Sequence, residues 1–69
     1  MRQWLRNLRN EHQYTMKEMG EKLGISESYY CAIENGKRQN PMDMVIASGL
    51  STILNLPVSQ IVALEKDQK

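Results

Sequence analysis

The residues able to do chemistry are few in this sequence, and their types matter as much as their spacing. His12 is the single histidine and Cys31 the single cysteine. A metal site or a histidine-based proton relay needs several such groups close together, and neither residue has a visible cluster around it. Catalysis is therefore not expected, and neither a metal nor a cofactor is implied. A lone cysteine also forms no intramolecular disulfide, which fits a reducing compartment. What the sequence does concentrate is hydrogen-bonding and cationic groups, with Asn35, Lys37, Arg38 and Asn40 inside one short stretch. Groups of this kind hold anions, phosphate above all, through charge-assisted hydrogen bonds.

Such groups need a scaffold, and 69 residues are enough for one domain with one modest core. We read residues 1–69 as that single domain, with the core in 2–64 and a frayed, polar tail over 65–69. With 41% hydrophobic and 25% charged residues, the chain has the composition of a folded protein rather than a disordered one. It holds no apolar run near the ~20 residues that span a bilayer. The start, Met1-Arg2-Gln3-Trp4, lacks the apolar stretch of a secretory signal, so the expected place is the cytoplasm, with no membrane partner.

The pattern of apolar residues predicts five helices and no strands, an all-α fold. Trp4, Leu5 and Leu8 recur at helical spacing while Arg2, Arg6, Asn7 and Arg9 take the other faces, which places helix 1 over 2–12. Thr15 and Glu18 form a capping box, so helix 2 starts there, buries Met16, Met19 and Leu23, and closes at Gly24. Ser26 is a suitable N-cap for helix 3, which carries Tyr29, Tyr30 and Ile33 and stops at Asn35-Gly36. Pro41 blocks any helix through the basic loop and favours a new first turn, giving helix 4 over 42–54 with Val45, Ile46, Gly49, Leu50, Ile53 and Leu54 as its apolar face. Pro57 punctuates the chain before helix 5 over 58–64.

Helices 2 and 3, joined by a tight glycine turn, have the form of a helix-turn-helix, whose second helix can lie in the major groove of DNA. Gly20 leaves space for helix 3 to approach, and Ile25, Tyr30 and Ile33 anchor it. Helical geometry then turns Ser28, Cys31, Ala32 and Asn35 outward, with Glu27 on the exposed first turn. The free amides opening helix 2 at Thr15, Met16 and Lys17 offer a phosphate seat beside the loop of Lys37, Arg38 and Asn40.

Thr15 to Gly36, and above all Leu23-Gly24-Ile25-Ser26-Glu27-Ser28-Tyr29-Tyr30 with Ile33-Glu34-Asn35-Gly36-Lys37-Arg38, resembles the Cro/repressor-type (XRE-like) helix-turn-helix family of phages and bacteria. The resemblance covers roughly residues 3 to 62. It implies a compact five-helix, lambda-repressor-like domain that binds double-stranded DNA as a small transcriptional regulator, a repressor in the usual case. The host would be a bacterium or phage, with the protein at the nucleoid. By the same resemblance the recognition helix is 26–35, and Glu27, Ser28, Tyr29 and Ala32 hold the base-contacting positions. Thr15, Met16, Lys17, Asn35, Lys37, Arg38 and Asn40 are the phosphate-contacting set, and Arg9 on helix 1 pairs with Glu34. Two departures stand out: Met16 replaces the family's frequent glutamine, which puts that phosphate contact in doubt, and Tyr30 replaces a branched aliphatic residue.

Charge leaves a second class of function open. The net charge is only +1, although residues 1–40 carry seven Lys/Arg against five Glu and residues 41–69 two Lys against three acids. A DNA face therefore belongs to the first part. Glu27 can accept a hydrogen bond from cytosine N4, or it can simply favour the N-terminus of its own helix. The alternative is a protein-binding module, an antitoxin or adaptor that keeps the fold without using DNA. A DNA-binding form would act as a homodimer, with Leu56, Val58, Val62 and Leu64 as either its contact surface or ordinary core.

Overall fold

The computed structural model describes residues 1–67. Five helices follow one another: α1 (Gln3–Glu11), α2 (Met16–Leu23), α3 (Glu27–Glu34), α4 (Met44–Leu54) and α5 (Val58–Asp67). The expected all-α fold and helix order hold, and the differences lie at the helix ends.

The caps explain most boundaries. Thr15 Oγ1 accepts the Glu18 amide at 3.0 Å while the Glu18 carboxylate accepts the Thr15 amide at 2.9 Å, a complete capping box. Gly24 closes α2 at φ 73°, a left-handed geometry that costs an L-residue roughly 1–2 kcal/mol. Ser26 Oγ accepts the Tyr29 amide at 3.1 Å and starts α3 at the next residue. For α4 the expected start at 42 is corrected: Asp43 is the N-cap, accepting the Ile46 amide at 2.8 Å, and Pro41 lies in the preceding loop. α1 is likewise shorter than 2–12, because Arg2 is its N-cap residue and His12 its C-cap.

Leu5, Met19, Tyr30, Ile33, Ile46, Ala47, Leu50, Leu54 and Ile61 form the buried core, drawn from all five helices. Each large apolar side chain removed from water contributes on the order of 1.5–3 kcal/mol. The expected α4 face needs one correction: Val45 is 80% exposed. The buried set 46, 47, 50 and 54 centres on the Ile46–Leu50–Leu54 line tilted toward Ala47, and Val45 falls roughly 150° away at 100° per residue.

The larger correction concerns the C-terminus. α5 runs to Asp67, through what was expected to be a frayed tail from 65. Its last turn has a tertiary anchor, since the Glu65 carboxylate is bound by Arg2 and by the Trp4 indole N–H at 3.2 Å. Residues 68 and 69 of that tail lie outside the described residues. No single helix is long and apolar enough to cross a membrane among the described residues.

Candidate nucleic-acid interface

α2 and α3 pack so closely that a β-carbon on Gly20 would stand 3.0 Å from the Ile25 carbonyl oxygen and 3.2 Å from that of Ser26. Both are backbone atoms, so a side chain at this position would make the turn give by a few tenths of an ångström, and glycine suits the close helix spacing. The Ile25 amide in turn donates to the Gly20 carbonyl at 2.9 Å, locking the turn. Tyr30, Ile33 and Glu34 are the buried face of α3, and its other side is open: Glu27, Ser28 and Asn35 are exposed, Cys31 and Ala32 half-buried.

Behind α3, Arg9 and Glu34 form a bidentate pair, with Arg9 Nε donating to Glu34 Oε2 at 2.9 Å and Nη2 to Oε1 at 3.2 Å. Glu34 is fully buried and Arg9 is 9% exposed. Arg9 also donates to the Tyr14 carbonyl at 2.9 Å, which ties the end of α1 and the approach to α2 into the same arrangement. The hydrogen bond to Glu34 raises the Arg9 guanidinium above its ordinary range, against the opposing effect of burial. Tyr30 places a buried phenol in this region with no hydrogen-bond partner among the described residues. Burial first, and the neighbouring Glu34 carboxylate second, push that phenol far above the usual tyrosine range, so it stays neutral.

The groups expected to hold phosphate fall into two places. At the start of α2, Thr15 and Lys17 are exposed, whereas the Met16 side chain packs against the core. Met16 has only its backbone N–H to offer an anion there. The Thr15 hydroxyl accepts from Glu18 and still has its own hydrogen to donate. In the loop after α3, Lys37 and Arg38 are exposed, and neither is in an ion pair among the described residues. Asn35 is exposed, with its amide nitrogen against Cys31 Sγ at 3.4 Å. Asn40 is less available, because its oxygen accepts from Arg2 at 3.0 Å and its nitrogen donates to the Gly36 carbonyl. Tyr29 is half-buried, and its hydroxyl accepts from Gln39 Nε2 at 2.8 Å.

Two residues that organise this loop were missed in the sequence. Gln39 adopts φ 62°, a left-handed conformation that non-glycine residues reach only when their surroundings hold them. Its side chain bridges α3 and α4, donating to Tyr29 and accepting the Asp43 amide at 2.9 Å. Arg2 was read as one of the solvent-facing groups of helix 1, and the structure reverses this: its side chain is completely buried. It donates to the Ile33 carbonyl at 2.6 Å, the Arg38 carbonyl at 2.9 Å, the Gln39 carbonyl, and both oxygens of Glu65. No periodicity within helix 1 could disclose a partner 63 residues away.

Residues 3–57 match a protein-family model described as a helix-turn-helix domain. The chain belongs to that family. The helix-turn-helix domain is also 34% identical over 65 residues to a Bacillus subtilis (strain 168) protein named uncharacterized HTH-type transcriptional regulator YobD. That alignment takes in 94% of the domain but 56% of YobD, so the chain spans about half the length of this relative.

Outside α3, the helix-turn-helix domain also carries exposed apolar residues. Met44, Val45 and Val62 are exposed, and an apolar groove between α4 and α5 is lined by Pro41, Met42, Met44, Ala47, Ile61 and Val62. Of the residues considered for a contact between copies, Val62 is exposed, Val58 and Leu64 are half-buried, and Leu56 packs against the core. Among the described residues no three His, Cys, Asp or Glu side chains are grouped so as to hold a metal ion.

Proposed function

We propose that this domain binds double-stranded DNA in a sequence-specific way and regulates transcription, with α3 lying in the major groove. The observation that carries the reading is the open side of α3 held beside two exposed cations, Lys37 and Arg38, that are in no ion pair among the described residues, by a helix pair packed closely at Gly20. Glu27, Ser28, Tyr29 and Ala32 are the base-contacting set. Ser28 and Ala32 read edges and thymine methyls, and Glu27 favours cytosine through its N4 amine. Tyr29, whose hydroxyl is tied to Gln39, contributes through its ring. Thr15, the Met16 amide, Lys17, Asn35, Lys37 and Arg38 grip phosphates, with Asn40 shaping the loop more than touching the duplex.

The role is binding rather than catalysis, and the mode is repression by occupancy of a roughly palindromic site. Two copies would set their recognition helices one turn apart, ~34–36 Å. The apolar side bearing Met44, Val45 and Val62 fits contact with a second copy, since a lone domain this small makes few phosphate contacts. In this reading the protein works in the cytoplasm, at the nucleoid of a bacterial host. That same apolar side is what an antitoxin or adaptor would use, and salt separates the two functions.

The test is fluorescence anisotropy with a mixed-sequence duplex across a range of salt concentrations. A domain that neutralises ~4–6 phosphates per subunit loses affinity with a log–log slope of about −4 to −5. Arg38→Ala weakens binding at every sequence and flattens that slope by about 1. Binding that is absent, or indifferent to salt, contradicts the proposal.

A further inference from the structure

The loop that carries Lys37 and Arg38 is tied to its flanks by the Lys37 amide on the Ala32 carbonyl, the Asn40 side chain on the Gly36 carbonyl and the Gln39 side chain, while the carbonyls of Arg38 and Gln39 turn inward to Arg2. It contains two left-handed residues, Gly36 at φ 79° and Gln39 at φ 62°, and buries none of its side chains. One guanidinium gathers its inward carbonyls. Arg2 Nη1 donates to the carbonyls of Ile33 and Arg38, and Nη2 to the carbonyl of Gln39 and to Asn40 Oδ1. The Arg2 amide donates to the Glu34 carbonyl at 2.7 Å. The last turn of α3 and the loop after it are thus gathered onto a single side chain.

A planar fork with five N–H donors suits this task and a lysine ammonium with three does not, because six acceptor atoms surround the three nitrogens. Every donor of Arg2 is used, so Arg2 cannot itself reach a phosphate. Its orientation is set from α5, where Glu65 accepts from Nε at 2.9 and 3.0 Å and from Nη2 at 2.7 Å. Glu65 is only 22% exposed at its side chain, and it also accepts from Trp4.

We propose that Arg2 is a positioning residue for nucleic-acid binding, and that Glu65 aims it: the pair fixes the carbonyls of the 36–40 loop so that the Lys37 and Arg38 side chains project together at one stretch of phosphates. The inference rests on the DNA-binding reading above and adds to it a control point on α5, far in sequence from the interface. Glu65 also borders the apolar groove between α4 and α5, so the aim of the loop is linked to that side of the domain.

The experiment compares wild type, Glu65→Gln and Arg2→Lys, each alone and with Arg38→Ala. Binding to a mixed-sequence duplex is followed by anisotropy from 50 to 200 mM salt, at a temperature where circular dichroism shows each variant folded. In the wild-type background Arg38→Ala costs about 3- to 10-fold in affinity and lowers the salt slope by about 1. With Glu65→Gln or Arg2→Lys the slope is already lower by about 1 to 2, and adding Arg38→Ala costs less than twofold. A merely structural role would lower the melting temperature and leave both the slope and the Arg38→Ala effect as in wild type, which overturns the inference. Wild-type binding by Arg2→Lys also overturns it, since charge alone would then suffice. If Arg2→Lys does not fold, Glu65→Gln decides by the same two readouts. Failure of wild type to bind the duplex at 50 mM salt overturns the DNA reading itself, and the inference with it.

Discussion

Glu34→Gln keeps the shape of a fully buried side chain and removes its charge, which makes it a sensitive probe of the link between α1 and α3. In the native pair Arg9 donates two hydrogen bonds to one carboxylate, and the Arg9 side chain is only 11% exposed. A glutamine amide offers one oxygen and sets an NH2 against the second donor, leaving a buried cation without its counter-charge. Breaking a buried pair in this way costs about 3–5 kcal/mol. A domain of this size has a total stability of roughly 3–10 kcal/mol at ~0.05–0.15 kcal/mol per residue, so the variant loses much or all of it. Urea denaturation followed by circular dichroism reads the change directly. With a urea dependence near ~1 kcal/mol per M for so small a chain, the midpoint falls by about 3–5 M, or the variant is unfolded in buffer. Replacing both partners, as Arg9→Met with Glu34→Leu, removes the stranded charge and returns most of the loss. It retains a deficit of about 1 kcal/mol for the Tyr14 carbonyl that Arg9 no longer serves. A Glu34→Gln variant within 0.5 kcal/mol of wild type, or a double variant no better than the single, would refute the reasoning.

Three further outcomes follow from the geometry. Gly20→Ala drives a β-carbon to 3.0 Å from a backbone oxygen and destabilises by about 1–3 kcal/mol, whereas Gly49→Ala meets only the movable Leu23 Cδ2 and gains ~1 kcal/mol of helix propensity, so denaturation midpoints should place Gly20→Ala well below Gly49→Ala. The Glu18 carboxyl is held below its ordinary range, first by the Thr15 backbone amide and then by the Thr15 side chain. Its folded-state pKa is depressed, so the stabilisation by this cap is complete above the unfolded value and is lost as pH falls through the folded one. A carboxyl NMR titration should find a midpoint below that of a free glutamate, reduced but not erased as a shift by Thr15→Val; an ordinary midpoint contradicts the capping box. Val45→Ser, at an 80% exposed position, changes stability by less than about 0.5 kcal/mol yet weakens the proposed self-association in sedimentation, and an unchanged association constant removes Val45 from the proposed contact between copies.

The helix-turn-helix was legible because its signals are local. Thr15, Gly24 and Ser26 act on neighbours within three residues, and their types alone state the turn they make. Tyr30 and Ile33 were placed inward by period, which left the side of Ser28 and Ala32 facing out. The pairing of Arg9 with Glu34 came from family resemblance, since no periodicity joins residues 25 apart. Arg2 and Glu65 were misread for the same reason in reverse. Each looks like a solvated charge within its own helix, and only the tertiary arrangement brings them together, buries the arginine and extends α5 past Leu64. The start of α4 was placed at 42, straight after Pro41, because proline is the stronger punctuation, yet Asp43 supplies the capping hydrogen bond. Gln39 gave no signal, because its left-handed backbone is imposed by the contacts that surround it.

The side of the domain that meets a duplex can be located directly by recording amide chemical shifts while a mixed-sequence DNA duplex is added at low salt. Perturbations are expected at Thr15–Lys17, along the open side of α3 from Glu27 to Asn35, and at Lys37 and Arg38, with α5 and the exposed part of α4 unmoved. Shifts confined to Met44, Val45 and the α5 surface, or none at all, would contradict the account.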